Sequence, residues 1–212
     1  MAIRIQKELD MSHIFYIMGK SASGKDHIYS AILENETLQG KVEPLIIYTT
    51  RPMREGEQDG REYFFADAEK LEKLRREGRI IEERVYHTVF GPWHYFTADE
   101  GQIDLKKHSY LGIGTLESYR KMVEYFGESV MVPLYIEVDD GLRLERALKR
   151  ERKQEVPKYR EMCRRFLADC EDFSEEKIAG EGIRRRFENN GEIRDCIQAC
   201  IDYMESVDFG SV

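Results

Sequence analysis

No stretch of the chain approaches the roughly 18 consecutive apolar residues that a bilayer-spanning helix requires, so no such span is expected. Residues 1–10 mix charged and apolar side chains and lack the continuous apolar centre of a secretion signal, which makes the cytoplasm the expected location. A basic surplus is also missing. With a net charge of −8 the chain lacks the broad positive surface on which general nucleic-acid binding rests, so its local arginine clusters must serve small anions. The four cysteines, Cys163, Cys170, Cys196 and Cys200, never take the C-x-x-C spacing of a zinc site and lie in segments with helical periodicity. They read as reduced core thiols. His13, His27, His87, His94 and His108 are scattered, and none pairs with a cysteine or carboxylate at metal-ligand spacing. Internal repeats and low-complexity tracts are lacking as well.

What the chain does have is an apolar run, Ile14-Phe15-Tyr16-Ile17-Met18, followed at once by Gly19, Lys20, Ser21, Ala22, Ser23, Gly24, Lys25, Asp26 and His27. A buried strand that opens into a glycine-rich turn ending in lysine and a helix is a phosphate cradle. The glycines let the backbone curl so that successive N–H groups point inward, the helix start adds its positive dipole end, and Lys25 brings a cation to the β- and γ-phosphates. These nine residues are the expected ATP-binding loop. In the usual form of this loop a serine or threonine follows the lysine and touches magnesium. Asp26 stands there instead, and a carboxylate is itself a hard oxygen ligand suited to Mg²⁺.

The length suits one well-buried α/β core with small insertions. Strands are expected at 14–18, 45–49, 109–113 and 130–138, with helices at 25–33 and 116–126. Such alternation predicts a parallel sheet covered on both faces. From Thr50 to Thr97 the texture changes to short strands and glycine turns, with a charged helix over 67–77 and strands near 80–88 and 93–97, which reads as an inserted antiparallel subdomain. From Asp139 to Cys170 seven arginines spread over two helical patterns interrupted near Pro157. A thin apolar stripe of Leu142, Leu148, Phe166 and Leu167 would dock them loosely, as a mobile surface hairpin. A strand near 183–187, a turn at Asn189-Asn190-Gly191 and a helix over 192–204 complete the chain.

The run Tyr48-Thr49-Thr50-Arg51-Pro52-Met53-Arg54-Glu55-Gly56-Glu57 continues through Gly60 to Tyr63 and Phe65, placing two guanidinium groups and a phenol around tight turns. Arginine offers a planar fork that matches phosphate oxygens at two points, so this is a second phosphate grip, and a second phosphorylated molecule is implied.

At this point the sequence resembles the guanylate kinase family, over nearly everything from Ile14 to about Met204. The resemblance implies a three-layer P-loop kinase fold: a central parallel sheet with helices on both faces, an inserted antiparallel subdomain that binds a nucleoside monophosphate, and a helical lid. It implies one domain over 13–205, with core segments 13–49, 98–138 and 176–205, the acceptor subdomain at 50–97 and the lid at 139–175. Residues 1–12 and 206–212 would be terminal extensions. By the same resemblance Arg51, Arg54, Tyr63 and Tyr95 would hold the acceptor phosphate, Glu82 would read guanine, and Thr97 would touch the guanine carbonyl. Carboxylate recognition of guanine has its own logic, because Glu82 can accept from N1–H and the exocyclic N2–H₂ together, and adenine offers no such pair. In the lid, Arg146, Arg150 and Arg165 would neutralise the transferring phosphoryl group. Asn189 sits where the family has an asparagine after its last strand.

Three departures bear on substrate choice. The family's central strand carries two aspartates, where this chain has Gly112 and Gly114; a serine before the Thr-Thr-Arg run is Ile47; and Asp26 replaces the loop hydroxyl. One carboxylate lost at Gly112 would thus be regained at Asp26. The implied reaction is phosphoryl transfer from ATP, with Mg²⁺, to a nucleoside monophosphate, GMP or dGMP first. Another monophosphate or a phosphorylated metabolite stays open as acceptor, and so does a non-catalytic binding module of the same fold. The implied partners are small molecules, with no nucleic-acid polymer and no membrane; the oligomeric state is not legible.

Overall fold

The computed structural model describes residues 12–88 and 90–208. The expected N-terminal extension therefore lies outside the described residues apart from Ser12, as does 209–212 of the C-terminal one. In chain order the elements are β1 (Ile14–Met18), α1 (Lys25–Leu33), β2 (Val42–Pro44), β3 (Tyr48–Thr49), β4 (Phe64–Phe65), α2 (Ala68–Arg76), β5 (Ile80–Thr88) and β6 (Gly91–Ala98). There follow β7 (Ser109–Gly114), α3 (Leu116–Phe126), β8 (Met131–Glu137), α4 (Asp140–Glu151), α5 (Tyr159–Asp172), α6 (Glu175–Gly180), β9 (Arg186–Glu188) and α7 (Ile193–Asp208).

Two sheets result. The first has the order β2-β7-β1-β8-β9 with every pairing parallel. Its middle strand is buried at every position, as a strand covered on both faces must be. Because side chains alternate along a strand, Phe15 and Ile17 enter one apolar layer with Ile28 and Ile32 of α1 and Cys196, Cys200, Ile201 and Met204 of α7. Ile14, Tyr16 and Met18 enter the opposite layer with Leu116, Tyr119 and Met122 of α3 and Ile178 of α6. The mixed α/β fold class with helices on both faces of a parallel sheet is thus present.

The second sheet has the order β4-β3-β6-β5 and its own small core of Tyr48, Leu71, Leu74, Phe96 and Ala98. It is mixed rather than wholly antiparallel, since β3 and β4 run parallel. The expected single strand over 45–49 is also corrected. Val42–Pro44 forms the edge of the first sheet, and Tyr48–Thr49 crosses to the second. Pro44 has no N–H to donate, which suits the end of an edge strand. The helix expected to stop near 204 runs on to Asp208, into the segment read as a tail.

Helix starts carry their chemical punctuation. Thr115 and Ser118 form a reciprocal capping box on α3, and Asp67 and Asp139 accept from the first-turn amides of α2 and α4. Between α4 and α5 the thin stripe is not as expected: Leu167 faces solvent, while Phe166 lies under the Arg143 guanidinium, whose Cζ is 4.4 Å from the ring centroid. Nor are all four cysteines in the core, for Cys163 is exposed on α5 and Cys170 is only partly covered. Among the described residues no helix is long and apolar enough to cross a membrane.

Candidate active site

The loop 19–24 leaves β1 and turns into α1 at Gly24, which caps the helix with a left-handed φ of 88°. A side chain there would be strained, and its Cβ would lie 2.6 Å from Asn189 Nδ2. That amide instead donates to the Ser23 carbonyl at 2.8 Å, so Asn189, anchored by its own N–H on the Glu137 carbonyl of β8, clamps the loop from behind. Ala22 has a φ of 63°, the one non-glycine residue with positive φ among those described. Strain held at such a position marks a backbone shaped for a purpose. Ser23 Oγ and Asn189 Oδ1 are buried here without hydrogen-bond partners. Lys25 makes no ion pair or side-chain hydrogen bond among the described residues, so its ammonium is free for an anion. Asp26 and His27 are exposed in the first turn of α1, and the Asp26 carboxylate is likewise unpaired among the described residues.

A contact absent from the sequence reading holds the front of this loop. Arg143 of α4 is completely buried; its Nη1 donates to the Ser21 carbonyl at 3.1 Å and its Nη2 to Asp140 at 2.7 Å. Asp169 of α5 accepts from the Ser21 N–H at 2.7 Å and lies 3.6 Å from the same guanidinium. Lys20 reaches Asp140 at 3.4 Å. Of the three lid arginines expected at the transferring group, Arg150 and Arg165 line a cavity of about 320 Å³ together with Ser21. Arg146 instead donates to the Asn189 carbonyl at 2.9 Å. Arg165 is exposed and shares Glu161 with Arg164; the two guanidinium groups draw that carboxyl down to about 2.

The second grip lies on one face of the second sheet. Arg51 is buried, with both Nη atoms on the Glu57 carboxylate at 3.0 and 2.7 Å and Nη1 also on the Pro52 carbonyl at 2.8 Å. Glu57 further accepts from the Arg54 N–H at 2.7 Å, and these contacts hold its carboxyl below the usual range, Arg51 being the main cause. The Arg51 Cζ stands 5.3 Å from the Tyr63 ring centroid, and Tyr63 meets Tyr95 edge-on at 5.7 Å. Arg54 is exposed, its guanidinium unpaired among the described residues. Tyr29, one turn beyond Lys25 on α1, has its phenol pushed up to about 12 by burial and secondarily by Tyr63.

At the far end of the same face Glu82 is buried, as is Thr97 opposite it on β6. Thr97 Oγ1 donates to Glu82 Oε1 at 2.9 Å, and Arg84 donates through Nε at 3.1 Å and Nη2 at 3.3 Å. Burial opposes the charge on Arg84, but Glu82, Tyr16 and Tyr86 together outweigh it and hold the guanidinium above its ordinary value. Arg84 was legible in principle, since it lies two residues from Glu82 in a strand and must share its face.

Why Gly112 and Gly114 replace acidic residues has a local answer. Tyr16 on β1 pairs laterally with Gly112 on β7, and Met18 with Gly114. The phenol ring lies over both glycines: a Cβ at 112 would sit 2.7 Å from Tyr16 Cδ2, and one at 114 would sit 2.2 Å from its hydroxyl oxygen. That hydroxyl donates to Ser118 Oγ at 2.9 Å. The Tyr16 ring therefore fills the space that a side chain at 112 or 114 would need.

The family model described as guanylate kinase matches residues 11–126. Among curated relatives, a guanylate kinase of Legionella pneumophila (strain Paris) is 33% identical over 82 residues, covering 39% of this chain and 36% of the relative. One from Vibrio vulnificus (strain YJ016) is 39% identical over 82 residues, covering 38% and 37%. The match thus spans little more than a third of the length of these relatives. The crystal structure of guanylate kinase from Anaplasma phagocytophilum superposes with a TM-score of 0.64 at 18% identity, over 94% of this chain and 88% of that one, a likeness of fold.

Proposed function

The chain belongs to the guanylate kinase family, and from that premise we propose that it transfers the γ-phosphoryl group of ATP to a nucleoside monophosphate, GMP or dGMP first, giving two diphosphates. The observation that carries this reading is the pair of anion grips, one of backbone amides with an unpaired Lys25 and one built on the Arg51 fork.

The donor's phosphates lie in the loop 19–27, with inward N–H groups and Lys25 on the β- and γ-oxygens. The acceptor's phosphate lies against Arg51, Arg54, Tyr63 and Tyr95. Glu57 presets the Arg51 fork, so little ordering is left to do on binding. Arg150 and Arg165, facing Ser21 across the cavity, supply positive charge to the transferring group as segment 139–175 closes over the donor, and closure excludes water. Asn189 and Arg143 take no part in chemistry and hold the loop in shape. Mg²⁺ suits the residues present: Mg²⁺ takes one or two carboxylates plus substrate phosphate oxygens, and Asp26 is exposed and unpaired at the mouth of the loop. When bound it neutralises phosphate charge. Asp26 would hold it, directly or through water.

The test is a panel of nucleoside and sugar monophosphates assayed for ADP formation with ATP and Mg²⁺, with Lys25→Ala as the blank. ADP formed with GMP and lost in the blank is expected. Turnover with a different monophosphate would move the acceptor, and no turnover with any would overturn the reading.

A further inference from the structure

Guanine presents N1–H and N2–H₂ as donors on one edge, with the O6 acceptor beside N1 and the N7 acceptor beyond it. If Glu82 takes the two donors, O6 enters a buried site and needs a donor of its own, because an unpaired buried carbonyl opposes binding. The buried hydroxyls beside Glu82 do not supply one. Position 47 is isoleucine, the Thr97 hydroxyl is spent on Glu82, and the Tyr16 hydroxyl is spent on Ser118. What stands beside Glu82 with donors to spare is Arg84. A guanidinium carries five N–H groups, and Arg84 uses one on Nε and one on Nη2, both toward Glu82; the rest make no hydrogen bond among the described residues.

We infer that Arg84 is a specificity-determining residue of the acceptor site, donating to the O6 and N7 edge of guanine while Glu82 accepts from N1–H and N2–H₂. The inference rests on the acceptor reading above and deepens it. The hydrogen bonds balance. A carboxylate has about four acceptor positions, and with the base in place they hold the Thr97 hydroxyl, two base N–H groups and one retained N–H from Arg84. The second Arg84 bond to Glu82 is released, and the freed fork meets the guanine oxygen. In the empty site the same fork keeps the buried Glu82 charge compensated. Strand geometry supports the pairing: residues 82 and 84 share one face of β5, opposite Thr97 and Tyr95 of β6, in line with Tyr63 and Arg51. The base end and the phosphate end of one acceptor thus lie along a single row of side chains.

The decisive comparison is kcat/KM for GMP against 6-thio-GMP, which keeps N1–H and N2–H₂ and replaces O6 by a poor acceptor. The wild type is expected to prefer GMP by about 10- to 100-fold, the discrimination that a good two-point contact provides. In Arg84→Met the preference is expected to fall to within about 3-fold of unity, mostly through loss of GMP activity. Arg84→Lys keeps the charge without the fork, and an intermediate ratio is expected; should Arg84→Met fail to fold, as circular dichroism will report, this variant decides. An unchanged ratio in a folded variant, with the wild type active on GMP, overturns the role of Arg84 alone. A wild type inactive on all purine monophosphates overturns this role together with the acceptor reading.

Discussion

Introducing Ala at position 114 measures how firmly the Tyr16 ring has claimed the space beside β7. The added Cβ would lie 2.2 Å from the Tyr16 hydroxyl oxygen, 2.9 Å from its Cζ and 2.5 Å from Ser118 Oγ. Tyr16 and Ser118 are both buried, with 1% exposure each, so neither can swing into solvent to make room. Overpacking of this kind costs about 1–3 kcal/mol. Losing the 2.9 Å Tyr16–Ser118 hydrogen bond adds about 0.5–1.5 kcal/mol. Gly114→Ala is therefore expected to destabilise the chain by about 2–4 kcal/mol, read as a shift in the urea midpoint at unchanged slope. At this chain length each kcal/mol lowers Tm by roughly 2–4 °C. The same alanine in a Tyr16→Val background meets no ring, only Ser118 Oγ, and is expected to cost less by ~1 kcal/mol or more, which is the coupling energy read in the double-mutant cycle. Additive costs would refute the account of Gly112 and Gly114 as room made for Tyr16.

Arg51→Ala should lower kcat/KM for the acceptor by about 10- to 100-fold, the worth of a charge-assisted two-point contact of roughly 1.5–3 kcal/mol, with little change in KM for ATP; an effect confined to ATP would place the second grip elsewhere. Asp26→Ala should abolish Mg²⁺-dependent turnover and leave the circular dichroism spectrum intact, since the side chain is exposed; near-wild-type activity would remove Asp26 from the metal site. Burial raises the phenols of Tyr16, Tyr29, Tyr119 and Tyr135 from 10 to about 12 in the folded chain. A raised folded pKa means that this contribution is complete below pH 10 and is lost as pH climbs through 12, Tyr16 alone accounting for about 2–3 kcal/mol. Tyrosinate absorbance at 295 nm should accordingly show a late phase coincident with unfolding, and titration of all tyrosines near pH 10 in an intact fold would contradict it.

Local signals were the legible ones. The strand at 14–18 and the helix at 116–126 were readable because an all-apolar run and a helical apolar period fix them within a few residues. The glycine-rich turn from β1 into α1 was readable for the same reason. The 45–49 strand was misread because the chain ends its pairing with the first sheet at Pro44 and joins the second only at Tyr48, and only tertiary pairing reveals that break. What packs against Gly112 was not legible, because the parallel register sets Tyr16 beside it across nearly a hundred residues of chain. Arg143 was hidden differently: within a run of seven arginines nothing local separates the one that is fully buried from the six on the surface or near it. Arg84 stood two places from Glu82 in a segment already read as a strand, so its position could have been found and its partner was implied.

The Ser21 peptide is seized at both ends, its amide by Asp169 and its carbonyl by Arg143. Those two residues belong to different helices of the hairpin that carries Arg150 and Arg165. A displacement of that hairpin must carry the loop at Ser21 along or break two part-buried bonds to leave it behind. The hairpin and the loop are in consequence coupled, so a displacement of either is felt by the other through Ser21.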